Sequence, residues 1–206
     1  MNYDIDEFFP VEKAKCKEHI WEDVEKKIGI TFPMDYKMFI DSHGEGVINE
    51  FLWILSPFSE NENLNSIEKY NIMKDTYRSM QSEFPEKFPF DFYNGKTGLF
   101  PWGITDNGDE LFWDYKGDVL ELVVYESRYA SNMSYVMSME EFLCKLLSKE
   151  IVCPIFPDDF ILEENFYETI WLRVLSNGVK IQMKWYLEGY TPGAGSGFIP
   201  GEPFPE

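Results

Sequence analysis

The sequence predicts an α+β fold, with helices around a central antiparallel β-meander. Two observations predict it. Apolar residues recur at helical spacing in three segments before residue 85 and again after residue 138. Between them, three β-rich runs are separated by two tight-turn signals, the arrangement that builds neighbouring antiparallel strands. The 206 residues are 44% hydrophobic and 17% aromatic, enough to bury a substantial core, and no fixed-period repeat divides them.

The elements follow in order. Ile20, Trp21, Val24 and Ile28 have helical spacing, with Glu22, Asp23, Glu25, Lys26 and Lys27 on the other faces, and Gly29 stops this helix. Phe32-Pro33 starts a second helix whose inner stripe is Tyr36, Phe39 and Ile40 and whose end is Gly44. Residues 47–55 are apolar and β-rich and read as one strand. Asn65 and Glu68 have capping-box spacing ahead of a third helix, in which Tyr70, Met73, Tyr77, Met80 and Phe84 form one face before Pro85 ends it. The meander comes next: residues 99–105, a turn at Asp106-Asn107-Gly108-Asp109, residues 110–115, a turn at Lys116-Gly117, then residues 119–125. Asn107-Gly108 predicts a two-residue turn with positive φ at both positions. Residues 134–137 add a short strand. Ser138 and Glu141 then open a helix that turns Met139, Phe142, Leu143, Leu146 and Leu147 inward.

Beyond Lys149 the character changes, so the chain divides into a domain over 1–150 and an extension over 151–206. The extension begins with a Pro-bounded connector, residues 153–157. Val179, Ile181, Met183 and Trp185 alternate with polar residues as a strand, and Asn177-Gly178 suggests a hairpin with residues 170–175. A helix over 166–175 is the competing reading. Residues 187–206 form a Gly- and Pro-rich tail that either wraps the surface or trails from it.

Charge narrows the function. Lys and Arg total 18 and Asp and Glu total 37, a net charge of −19. Such a chain repels the phosphates of nucleic acids and anionic membranes, and favours a basic protein partner or plain solubility. Cys16, Cys144 and Cys153 lack metal-ligand spacing and read as free thiols of a reducing compartment. An acidic N-terminus and the absence of an apolar run of about 20 residues point to a soluble, cytoplasmic protein. His19 and His43 are not at i, i+4 and have no ligand companions, so no metal or other cofactor is expected. His43, just before Gly44, suits a helix C-terminus. Asp106, Asp109 and Glu110 lack the spacing of a calcium loop and are explained by turn chemistry. Gly193-Ala194-Gly195-Ser196-Gly197 lacks the Lys-Ser/Thr and flanking elements of a phosphate loop, and Cys144 sits on the apolar side of its helix. No set of nucleophile, base and oxyanion donor emerges, and a non-enzyme is expected.

Acid is concentrated in the meander. Asp106, Asp109, Glu110, Asp114, Asp118 and Glu121 face the single cation Lys116, with Phe112, Trp113 and Tyr115 among them. Strand alternation puts Leu111, Trp113 and Tyr115 on one face and Glu110, Phe112 and Asp114 on the other. The second face is either a solvated outer face or a docking surface for a basic protein. On the docking reading the contact residues are Asp106, Asp109, Glu110, Phe112, Asp114, Asp118 and Glu121, with Glu22, Asp23 and Glu25 of the first helix as the second candidate surface.

Two runs also carry a family resemblance. Residues 20–40, from Ile20-Trp21-Glu22 through Gly29, Phe32-Pro33 and Tyr36-x-x-Phe39-Ile40, resemble the opening of the SUKH (Smi/Knr-like) superfamily, and His43-Gly44-Glu45-Gly46 fits the turn that follows. Phe100-Pro101-Trp102-Gly103 through Gly108-Asp109-Glu110 resembles the family's central motif, and residues 138–147 its closing helix. The resemblance covers about residues 15–150. It implies a curved mixed sheet flanked by helices. It also implies a bacterial immunity protein that binds a cognate polymorphic toxin, often a nuclease, or alternatively an adaptor of the kind found in fungal cell-wall signalling. An acidic protein facing a basic nuclease toxin would block it sterically and electrostatically.

Overall fold

The computed structural model describes residues 3–9, 19–117, 119–158, 160, 166–173 and 180–184. Its helices are α1 (Trp21–Ile28), α2 (Met34–His43), α3 (Ser66–Glu83) and α4 (Met139–Leu147). Its strands are β1 (Gly46–Ile48), β2 (Leu52–Ile54), β3 (Thr97–Thr105), β4 (Glu110–Lys116), β5 (Val119–Glu126), β6 (Ser131–Tyr135), β7 (Phe166–Arg173) and β8 (Lys180–Lys184). They form one sheet in the order β6-β5-β4-β3-β2-β1-β7-β8. Every strand pair in it is antiparallel, so the fold is α+β, and among the described residues parallel pairing occurs only as the isolated bridges Ser56–Asn65 and Phe92–Leu99.

Over β3–β5 the sheet is covered on both faces. Trp21 of α1, Tyr36, Phe39 and Ile40 of α2, and Met139, Phe142, Leu143, Leu146 and Leu147 of α4 share one buried cluster with Leu111, Trp113, Leu122 and Val124 of the meander. Burying each such side chain contributes about 1.5–3 kcal/mol. The rings lock the layers together: Tyr36 meets Trp113 edge-on at 4.7 Å, and its hydroxyl donates to the Leu55 carbonyl at 2.6 Å. On the opposite face, Met73 and Tyr77 of α3 and Phe88 cover Leu99, Phe112, Val123 and Tyr125.

Several local expectations change. Residues 47–55 are two strands, β1 and β2, joined by Asn49-Glu50 with φ of 50° and 54°. Phe51 N bonds Ile48 O at 3.0 Å, so Asn49 and Glu50 form a β-turn inside a three-residue loop between Ile48 and Leu52, with Glu where Gly is usual. The turn after β3 has positive φ at Gly108 (85°) but not at Asn107. Gly108 N bonds Thr105 O at 2.9 Å and Thr105 N bonds Asp109 O at 2.8 Å. The loop is therefore the three-residue kind, with glycine in the left-handed position, and not the two-residue turn. The strand expected at 134–137 lies at Ser131–Tyr135. Asn65 caps α3 by accepting from Ile67 N and Glu68 N, while its own N–H goes to Asn61 O, which leaves no role for a reciprocal Glu68. Met80 and Phe84 of the α3 stripe are exposed; Phe88, stacked on Tyr77 at 4.0 Å, completes the cover from the following loop. Ile20 is likewise exposed, immediately before α1.

The segment after Lys149 joins the same layers. Phe156 and Phe160 pack on Phe51 at 5.4 and 5.5 Å. Residues 166–173 are a strand rather than a helix, pairing with β1 on one side and β8 on the other. Asn177-Gly178, the glycine-rich run 193–197, the tail 187–206, Cys16 and Asp118 lie outside the described residues.

Candidate functional site

The meander's register sets where its acids go. β4 pairs with β3 through Glu110–Ile104 and with β5 through Glu110–Tyr125, Phe112–Val123 and Asp114–Glu121. The face expected to be open to a partner is the one roofed by α3. Phe112 is fully buried, Asp114 is 7% exposed and Asp109 is 4% exposed. The expectation of an open acidic face is therefore corrected. The alternation was right, but the aromatic residues sharing that face recruited α3 and the 84–92 loop as a second core layer. Glu110→Lys plus Asp114→Lys would thrust two ammonium groups into that layer.

Each acid is also held locally. The Tyr77 hydroxyl donates to Glu110 Oε2. Burial pushes the Glu110 carboxyl up to about 7, against the Tyr77 hydrogen bond and the Lys69 charge, which pull it down. Asp109 closes the turn: Thr105 Oγ1 donates to its carboxylate at 3.0 Å and accepts from its backbone N–H at 3.0 Å. Burial raises its pKa. Asp114 and Glu121 flank Lys116, whose Nζ lies 3.2 Å from Asp114 Oδ2 and 2.6 Å from Glu121 Oε2. Asp106 alone of the described meander acids is exposed, and it accepts from Trp53 Nε1 at 2.6 Å.

The second candidate surface divides similarly. Glu22 and Asp23 are exposed in the first turn of α1, where carboxylates suit the helix dipole. Glu25 instead ties α1 to α2: it accepts from Phe32 N at 2.8 Å and pairs with Lys37. Between the two helices runs a groove of about 510 Å³ lined by Trp21, Glu25, Lys37 and Asp41, with exposed Ile20, Met34 and Met38 along it. Asp41 accepts from His19 Nδ1 at 2.7 Å and from Trp21 Nε1 at 3.1 Å. The sequence held one signal of this groove: Met34 and Met38 are i, i+4 neighbours off the Tyr36-Phe39-Ile40 stripe.

The nucleophile candidates are core groups. Cys144 and Cys153 are free and buried, and burial pushes the Cys144 thiol up to about 12. His43 is buried at the end of α2, stacked on Phe39 at 4.7 Å and donating from Nε2 to the Phe9 carbonyl at 2.9 Å. Among the described residues no three His, Cys, Asp or Glu side chains converge as metal ligands, and no helix is long and apolar enough to cross a membrane.

A family model described as SUKH_6, SMI1-KNR4 cell-wall, matches residues 18–143, from the start of the α1–α2 layer through the middle of α4. The chain belongs to the SMI1-KNR4 family. The match spans both helical layers and the whole meander, the part of the chain in which the acids and the groove lie. No curated protein and no solved structure matches the chain.

Proposed function

We propose that this SMI1-KNR4 family chain is a cytoplasmic immunity protein that binds a cognate, basic polymorphic toxin, of the nuclease type, and blocks it without turnover. The observation that carries this reading is the charge, −19 on 206 residues. A toxin that grips phosphates presents clustered cations. A field of opposite sign speeds the encounter roughly 10–1000-fold at low salt and places acid where the substrate would sit. The non-enzymatic part is supported by the titrating acid Glu110, which lies beneath α3 against Tyr77 and does not line the α1–α2 groove. In this reading residues 1–150 are the binding domain and residues 151–206 an extension, of which β7 pairs with β1. The exposed acids Glu22, Asp23 and Asp106 are its contact residues, because Asp109, Phe112 and Asp114 are covered in the folded chain.

The test is protection of cells carrying the toxin encoded beside this chain, with titration of toxin activity in vitro. One chain should silence one toxin. Glu22→Lys plus Asp23→Lys, and separately Asp106→Lys, should fold and slow association, the effect shrinking as salt rises. Sub-stoichiometric destruction of the toxin over time would end the binding model. A second reading, an adaptor for a host protein, is favoured by the cell-wall description of the matching family. Pull-down of a host regulator in the absence of any neighbouring toxin gene would select it.

A further inference from the structure

β6 ends the sheet, paired with β5 on one side and with no described strand on the other. A sheet edge displays unpaired N–H and C=O groups, and proteins guard such edges with lysines, prolines, bulges or inward charges. β6, Ser131-Asn132-Met133-Ser134-Tyr135, carries no charge and no proline, and its register against β5 runs unbroken from Ser131 to Tyr135. Ser131 to Ser134 are exposed. No charged residue occurs from Tyr129 to Met139, in a chain that is 27% charged. Two large apolar side chains flank the strand in the open, Tyr129 at 72% and Val136 at 76% exposure, and Met133 at its centre is 38% exposed.

We propose that this edge joins two copies of the chain, β6 against β6, antiparallel across a twofold axis, so that the sheet continues from one chain into the next. The geometry selects the register. A twofold axis through a continuous sheet preserves its faces, so the axis must pass through a residue paired with its own copy. With the axis at Met133, Met133 meets Met133, Ser131 meets Tyr135, and Asn132 meets Ser134, polar against polar. At each end of the seam the exposed Val136 of one copy comes beside the turn over 127–130 of the other, which carries the exposed Tyr129. Moving the axis to Asn132 would cut the ladder to Ser131–Met133, because Ser134 and Tyr135 would face the turn before the strand.

A second copy fits this edge better than a basic protein does, because the seam carries no acid to attract one. A five-residue strand pair is small beside the roughly 1,200–2,000 Å² of stable interfaces. The dimer is therefore a weak, concentration-dependent one. Two copies that each carry −19 repel beyond the seam, and added salt screens that repulsion. Salt thus strengthens the dimer while it weakens a complex with a basic toxin, so the two proposals fail separately.

The experiment is sedimentation of the full chain from micromolar to submillimolar concentration at low and high salt. The expected result is a shift from 24.3 kDa toward twice that mass, favoured by salt. Met133→Glu and Met133→Lys each place like charges face to face on the axis, and both should hold the chain at the monomer mass with an unchanged circular dichroism spectrum and melting temperature. If general repulsion rather than the seam controlled assembly, Met133→Lys would strengthen it. A wild-type monomer under all conditions, or a dimer indifferent to both substitutions, overturns the proposal.

Discussion

Burial under α3 makes Glu110 the carboxylate whose titration the fold feels. Its pKa of about 7 lies above the ordinary 4.5, so the native state keeps a proton that the unfolded chain releases. The resulting stability is complete below about pH 4.5 and is lost as pH rises through about 7, a change of roughly 3 kcal/mol at 1.36 kcal/mol per pKa unit. Glu110→Gln keeps the shape and still accepts from Tyr77. It should flatten this profile and raise stability at alkaline pH, read from urea unfolding near pH 5 and near pH 8. Parallel profiles for wild type and variant would show that Glu110 is not the group responsible. Tyr77→Phe removes the donor that favours the ionised form, so the same loss should extend to higher pH and grow larger.

Turns and caps decide how the elements meet. Glu50 holds a left-handed backbone between β1 and β2, which costs an ordinary L-residue about 1–2 kcal/mol. Glu50→Gly creates the Asn-Gly pair this turn prefers, and it should raise the unfolding midpoint by up to about 1 kcal/mol after glycine's own entropic cost. A lower midpoint would mean that the Glu50 side chain holds the hairpin by other contacts. Gly98 is the opposite case. Its φ is 113°, and a Cβ there would stand 2.6 Å from the Phe92 carbonyl carbon and 2.7 Å from Asp91 O. Leu99 N bonds that same Asp91 oxygen at 2.8 Å, so the two backbones cross with no room between them. Gly98→Ala should destabilise by several kcal/mol and separate the 88–93 loop from β3, measured as early amide exchange at Leu99. Asn65→Ala should cost about 1 kcal/mol through the lost cap of α3.

At the scale of the molecule, charge and layering oppose each other. A net charge of −19 repels itself in the compact state, so the melting temperature should climb with sodium chloride between low and physiological ionic strength. A salt-independent melting temperature would mean that local pairs such as Lys116 with Asp114 and Glu121 already balance the field. Over β3–β5 the sheet is helix-covered on both faces, and the connector through Phe156 and Phe160 closes the hairpin end of β1 and β2 through Phe51. A chain cut after residue 150 should therefore melt lower than the whole, since it loses those rings and the strand that pairs with β1.

What the sequence determined by itself was everything set by local periodicity and turn chemistry. The stripes of α1, α2 and α4, the Asn65 cap, the three strands of the meander and the family motifs were legible because each depends on residues a few positions apart. The β1–β2 hairpin was not, because its turn uses Glu50 where glycine would have marked it. The tertiary structure alone decided which of the acids are buried. Alternation along β4 put Glu110, Phe112 and Asp114 on one face, but no local rule says whether a face meets water or a helix more than thirty residues earlier in the chain. Tyr77 and Phe88 answered that by packing on Phe112 and Tyr125. Once α3 lay there, burial raised Glu110 and covered Asp109 and Asp114, and of the acids singled out from the sequence it left Glu22, Asp23 and Asp106 exposed. Burial is a property of two surfaces at once, and a strand's own residues specify only one of them.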